Sequence, residues 1–479
     1  MELMTQTQGY LFLILFGIIM FTITWFFARW KQYNSKEGFL VAERKLNWFT
    51  GGSSIAASWI WAPALFISVQ IAFEKGLPGV FWFTVPNVLA LALFAFFGPK
   101  IREQFEEGFT LPQWIKFKLK SKKVHKVYLF PYIFYQIMAI TVQLFAGGSL
   151  VSLLTGISLL KVMPILLLIS LAYSLVSGLE ASVITDVIQL ATIFVGGLII
   201  IPWTVSAAGG FTTVMQGLGG ITGQFTNMFD PGIAFSFGII TSIGLIAGAL
   251  SDQQYWQRTF AIKKKSVRKS FLFGAALFAI VPISLSLLGF IGASLKVTLP
   301  AGTDSSMIGI ATVAQLLPGW ATLLFVIALL AGLSSTLDSG LVAFASLFAI
   351  DIAKDKNVVT QSRLAMIGAG LVGLLIAFAV IYIPQFGLQH LWWVFNTIAA
   401  CVLVPTILSL YWNRLSAKGV YLGVITSFVF GIPLFIYGNI IGSTILTVFA
   451  SLFIIGVSTF FCLLFAKSKN PFQQGIARN

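Results

Sequence analysis

The sequence predicts an all-α membrane protein of about thirteen transmembrane helices, arranged as inverted five-helix repeats around two broken helices. Three observations carry this reading. Of 479 residues, 58% are hydrophobic and 9% charged, a balance suited to lipid rather than water. Apolar stretches recur along the chain at spanning length, which is roughly 20 residues at 1.5 Å rise. The Lys and Arg residues fall almost wholly into alternate connecting segments, as cytoplasmic retention of positive charge requires.

The first stretch, 9–28, is preceded by Glu2 and no Lys or Arg, lacks a small-residue cleavage site and runs into Arg29, Trp30 and Lys31. It reads as an uncleaved helix with its N-terminus outside rather than a secretory signal. The second, 46–73, contains Gly51, Gly52, Ser53, Ser54 and Pro63, residues that interrupt a helix at mid-membrane. With 77–98, 127–155, 159–178 and 180–205 it forms a first repeat, 46–205. Stretch 231–257 carries Gly238, Gly244 and Gly248 and is the second candidate for interruption. With 270–293, 318–352, 364–383 and 389–412 it forms a second repeat, 231–412. Glycine also serves close helix packing, so interruption is one of two readings. Helices 417–437 and 440–466 complete a single transmembrane domain over 1–479.

With the N-terminus outside, the inner segments are 29–45, 99–126, 258–269, 353–363, 413–418 and 467–479. They hold 27 of the 30 Lys and Arg residues, and only Lys75, Lys161 and Lys296 lie elsewhere. The C-terminus is then cytoplasmic, and the chain belongs in a cell (inner) membrane. The net charge of +15 follows from this retention. The basic run Lys116 to Lys126 lies between two spans, so it implies weak attraction to anionic head groups and no nucleic-acid partner. Cys401 and Cys462 sit in apolar spans, with no disulfide framework. His125, in a basic loop, and His390 are the only histidines. No metal-ligand spacing or nucleophile elbow accompanies them, which excludes a membrane-embedded enzyme.

Ionisable side chains are costly in hydrocarbon and mark function. Two acids qualify: Asp186 in SGLEASVITDVIQ (177–189) and Asp338 in AGLSSTLDSGLVAFAS (331–346). Neither has a cationic residue nearby in its own helix, so a bound cation or a proton is the expected partner. Ser334, Ser335, Thr336, Ser339 and Ser346 crowd the Asp338 helix. Hydroxyl and carbonyl oxygens suit a hard cation, although any one hydroxyl can also bond back to its own helix.

These motifs resemble the sodium:solute symporters, whose helices follow the leucine-transporter architecture with an added N-terminal span. SGLEASVITDVIQ is similar to the family's Gly-rich Thr-Asp-x-x-Gln helix. SSTLDSGLVAFASLFAIDI (334–352) resembles its Ser-Thr-x-Asp-Ser helix, and SDQQYWQRTFAIKK (251–264) the inner end of its second broken helix. Gln143 with Gly147 fits the intervening helix. The resemblance implies a main sodium site of Ala57 and Ile60 carbonyls with Gly332, Ser335 and Thr336, a one-residue slide to Ala331, Ser334 and Ser335 being the alternative register. It also implies a possible second sodium at Asp186, Asp338 and Ser339. Na+ is the coupling ion expected, with proton coupling the rival.

The solute belongs at the broken helices near mid-membrane. No Lys, Arg or His occurs in 46–73, 127–155 or 231–257, so a multiply charged carboxylate is disfavoured. Leu245 and Gly248 stand where sugar-carrying relatives have polar gate residues, which disfavours a sugar. Trp59, Trp61, Trp82, Phe83, Asn87, Gln143 and Gly248 are the candidate substrate residues: ring walls with a few amide hydrogen bonds suit a compact neutral solute. Trp also anchors membrane interfaces. Stretches 58–82 and 252–258 look most like the urea-transporting branch, which differs from STLDS in the sodium helix. A sodium-coupled importer of a urea-like amide is therefore expected, working as a monomer among membrane lipids. A proline-type amino-acid symporter and a transporter-like sensor are the alternatives.

Overall fold

The computed structural model describes residues 3–28, 35–176, 178–353, 357–383 and 387–468. Regular structure there is helical, apart from one isolated bridge between Leu46 and Ile262. In chain order the helices used below are α1 (Gln6–Ala28), α2 (Trp48–Trp59), α3 (Ser68–Gln104), α4 (Leu111–Leu119) and α5 (Lys122–Thr155). They continue with α6 (Leu159–Ser174), α7 (Leu179–Ala207), α8 (Ile239–Ser251), α9 (Gln253–Ala261) and α10 (Val267–Ser294). The last are α11 (Gly319–Leu347), α12 (Val358–Ile381), α13 (Leu388–Tyr411), α14 (Ala417–Ile440) and α15 (Thr444–Leu464). Polar caps set several starts: Asn47 accepts from the Phe49 and Thr50 N–H groups at α2, Thr110 from Gln113 at α4, and Ser121 from Val124 at α5.

Eleven helices among the described residues are long and apolar enough to cross a membrane, against the thirteen expected. The difference has a physical origin. The 42-residue segment Pro63–Gln104 joins half of the first broken helix to the next span through a turn at Gly76 (φ 56, ψ −147). A side chain there would meet Leu218 O at 2.4 Å and Phe225 O at 2.6 Å, so only glycine fits. Helix α6, with 16 residues, is simply short.

The first interruption lies where Pro63 predicts it. Helix α2 stops at Trp59, Ile60 leaves helical geometry (φ −81, ψ 68), and the chain resumes as a helix around Pro63. The second requires a correction. Gly238, Gly244 and Gly248 do not break their helix. Cβ atoms there would lie 2.6 Å from Trp82, 3.1 Å from Asn396 and 2.3 Å from Asn396 Oδ1 respectively, so these glycines serve close packing. The break is at Asp252 (φ −83, ψ 111), whose carboxylate caps α9 by accepting from the Gln254 N–H at 2.8 Å.

Basic segments meet at one end of the bundle. Arg44 Nη1 donates to Gly108 O (2.9 Å) and Phe260 O (3.2 Å), and Lys264 pairs with Glu106 at 3.0 Å. Arg414 Nε donates to Lys467 O at 2.9 Å. The chain start sits at the other end of α5, where Gln6 Nε2 donates to Gly156 O at 3.1 Å. With 34 residues in α5, the two ends are about 50 Å apart. Arg29, Lys31, Lys354, Lys356, Lys469 and Arg478 lie outside the described residues.

Three charged positions differ from expectation. Arg258, counted among the inner-segment charges, is completely buried. Arg102 is buried too, with Nη1 2.6 Å from Phe260 O, where a guanidinium satisfies carbonyls at the end of α9. His125 is not in a loop but in the first turns of α5. Its Nε2 is 2.7 Å from Asp351, whose other carboxylate oxygen accepts from Thr110 Oγ1 at 2.7 Å.

Candidate functional site at the two helix breaks

The end of α2 presents oxygen ligands. The Ile60 N–H bonds Ala56 O, so the carbonyls of Ala57, Ser58, Trp59 and Ile60 are the four that a terminating helix leaves over. Pro63 has no N–H to offer Trp59. The Ala62 N–H, four residues beyond Ser58, donates to Gln143 Oε1 at 3.0 Å instead. These carbonyls also form the negative end of the α2 dipole.

Helix α11 lies against this end. A Cβ on Gly332 would be 3.2 Å from Ile60 O and 2.8 Å from Leu65, so glycine permits the approach. Thr336 Oγ1 donates to Ser58 O at 3.2 Å, and Ser335 Oγ donates to Asp186 Oδ1 at 2.5 Å. The structure therefore brings Ile60, Gly332, Ser335 and Thr336 together, with Ala57 one turn back on α2. Both hydroxyls donate their proton elsewhere and keep lone pairs for a cation.

Asp186 has a counter-charge that its own helix does not reveal. Arg258 Nη2 lies 2.9 Å from Asp186 Oδ2 and 2.7 Å from Ser339 Oγ, while Arg258 Nε donates to Ser54 Oγ at 2.8 Å. The expectation of a bound cation or proton at Asp186 is thereby corrected: the partner is a guanidinium from α9, and it knits α2, α7, α9 and α11 together. Asp338 differs. Its Oδ1 accepts from Ser174 Oγ at 2.7 Å, and among the described residues it has no ion-pair partner.

Aromatic rings form a wall between the breaks. Trp59 and Trp61 stack at 5.5 Å; Trp59 meets Tyr255 edge-on at 5.2 Å, and Trp61 meets Phe395 at 5.4 Å. Phe395 also touches Tyr135 (5.0 Å), and Gly248 lies beside Tyr135 and Asn396. Phe83 reaches this wall through Trp392 at 5.6 Å, whereas Asn87 Nδ2 bonds Phe83 O in its own helix. Trp82 packs over Gly238 instead. The Nε1 atoms of Trp59, Trp61 and Trp392, Gln143 Nε2 and the Tyr255 hydroxyl are buried without a hydrogen-bond partner among the described residues. Sequence reasoning missed Tyr135, Tyr255, Trp392, Phe395, Asn396 and Arg258. Helix α9 closes the basic end, every residue of Gln253–Ala261 being buried.

A broken-helix site inside an apolar helical bundle defines a membrane transporter. More particularly, residues 39–427 match the Sodium:solute symporter family, and the chain belongs to it. It is 24% identical over 482 residues to a urea-proton symporter of rice (Oryza sativa subsp. japonica), covering 90% of this chain and 66% of that protein. It is 26% identical over 435 residues to a sodium/glucose cotransporter of Vibrio parahaemolyticus, covering 83% of this chain and 79% of that one. Its fold matches a Na+-coupled sialic acid symporter solved in a substrate-bound outward-open state. The TM-score is 0.75 at 18% identity, over 96% of this chain and 98% of that chain.

Proposed function

We propose that this protein is a sodium-coupled symporter that imports a small polar solute without net charge, a urea-like amide first, by alternating access. The observation that carries this reading is the carboxyl end of α2, whose last carbonyls the break leaves without helical N–H partners, set against the Ser335 and Thr336 hydroxyls. Carbonyls at a half-helix C-terminus facing hydroxyl oxygens are a hard-cation site. Ala57, Ile60, Gly332, Ser335 and Thr336 are its ligand positions. At Asp186 and Ser339 the guanidinium of Arg258 already supplies positive charge, so one sodium per cycle is expected rather than a second at Asp186, Asp338 and Ser339.

A sodium ion between α2 and α11 ties together parts that move in alternating access. It shifts the balance only by its different affinity for the two states, and the membrane potential adds about 2.3 kcal/mol per charge per 100 mV. For the solute, the unpaired donors of Trp59, Trp61, Gln143 and Tyr255 call for an acceptor such as an amide carbonyl. A carboxylate of a proline-like zwitterion would also fit these donors, and this is the alternative solute. The protein is expected in the cell inner membrane as a monomeric unit, with its N-terminus outside and C-terminus in the cytoplasm. Proton coupling is the second reading, favoured by Asp338, a buried carboxylate without an ion-pair partner among the described residues.

Uptake of labelled urea and proline into proteoliposomes tests this. Accumulation should require an inward sodium gradient, and Ser335→Ala or Thr336→Ala should raise the half-saturating sodium concentration about tenfold, the worth of one polar contact. Equal uptake in sodium-free buffer under a pH gradient would establish proton coupling instead. Proline competing as well as urea would reverse the order of solutes.

A further inference from the structure

We propose that the cleft between α4 and the end of α3 is a binding site for an anionic phospholipid. Phe105, Gln113, Lys116, Phe117, Lys118 and Lys120 line it. Lys118 Nζ is held by neutral oxygens, Asn413 Oδ1 at 3.2 Å and Gln104 Oε1 at 3.4 Å, so its charge is not cancelled there. Two nearby acids are engaged elsewhere: Glu103 with Lys100 at 3.4 Å and Glu106 with Lys264 at 3.0 Å. Burial, with Lys467 and Lys100 close by, lowers the Lys118 ammonium from its ordinary pKa, which an added anion would reverse.

One further feature points to a lipid rather than a free ion. Phe117 stacks on Phe105 at 5.0 Å yet is 57% exposed, so an apolar surface adjoins the cations. Head group and acyl chain together match that pairing. Lys120 also occupies the left-handed position after α4 (φ 50, ψ 36), where glycine is the unstrained residue. A lysine kept there at conformational cost places a third positive charge on the cleft.

The test uses the full chain in phosphatidylcholine bilayers at fixed salt, with spin-labelled phosphatidylglycerol or phosphatidylcholine as the probe. The protein should immobilise phosphatidylglycerol preferentially. Lys120→Gly, which relieves backbone strain, should weaken this about fivefold, and adding Lys116→Gln and Lys118→Gln should abolish the preference. A control double variant, Lys263→Gln and Lys265→Gln, which leaves the Lys264–Glu106 pair in place, should retain it. The proposal is overturned if Lys120→Gly leaves the preference intact, if the control loses it equally, or if inorganic phosphate displaces the lipid, which would mark a free-anion site.

Discussion

Arg258 and Asp186 meet at 2.9 Å with both side chains 0% exposed, so removing either alone strands a buried charge. Arg258→Met should cost about 3–5 kcal/mol of stability. Asp186→Asn combined with Arg258→Met should recover most of that loss, because the remaining groups are neutral. Thermal unfolding of the four proteins in one detergent measures the coupling; additive losses would show that the pair is not the stabilising unit. The two acids were legible because a carboxylate in an apolar run is chemically conspicuous. Arg258 was not, because it precedes Lys263, Lys264 and Lys265 and so reads as one more interfacial charge. Its partner lies 72 residues away, a pairing that only the packed helices supply.

At the scale of elements, the two breaks differ in how they are encoded. Pro63 removes a donor and announces the first. The second rests on Asp252, an N-cap immediately before Gln253, and that signal was available in SDQQ but overshadowed by the glycines upstream. Those glycines have a different test. A Cβ on Gly248 would sit 2.3 Å from Asn396 Oδ1, the movable end of a side chain. Gly248→Ala should therefore fold and unfold as the parent does while its uptake rate falls about tenfold, a barrier change of ~1.4 kcal/mol. Gly76→Ala should behave in the opposite way. Its φ of 56 and ψ of −147 exclude a side chain, and backbone oxygens at 2.4 and 2.6 Å cannot rotate aside. That variant should lose about 1–3 kcal/mol of stability, seen as a lowered unfolding temperature.

At the scale of the molecule, hydropathy exposed the helical bundle and charge exposed its polarity, since both are properties summed over long segments. The ring wall was only half legible: Trp59 and Trp61 flank a visible break, whereas Tyr135, Tyr255 and Phe395 join it through tertiary packing. Polarity permits a direct experiment. The native cysteines, Cys401 and Cys462, are buried, so they should stay silent to a membrane-impermeant maleimide. Ser158 and Lys265 are both exposed, Ser158 at the end of the bundle that holds the chain start and Lys265 at the basic end. In intact cells Ser158→Cys should label at once. Lys265→Cys should label only after permeabilisation, because positive charge is retained on the cytoplasmic side. The reverse pattern would invert the orientation, placing the basic end of the bundle outside.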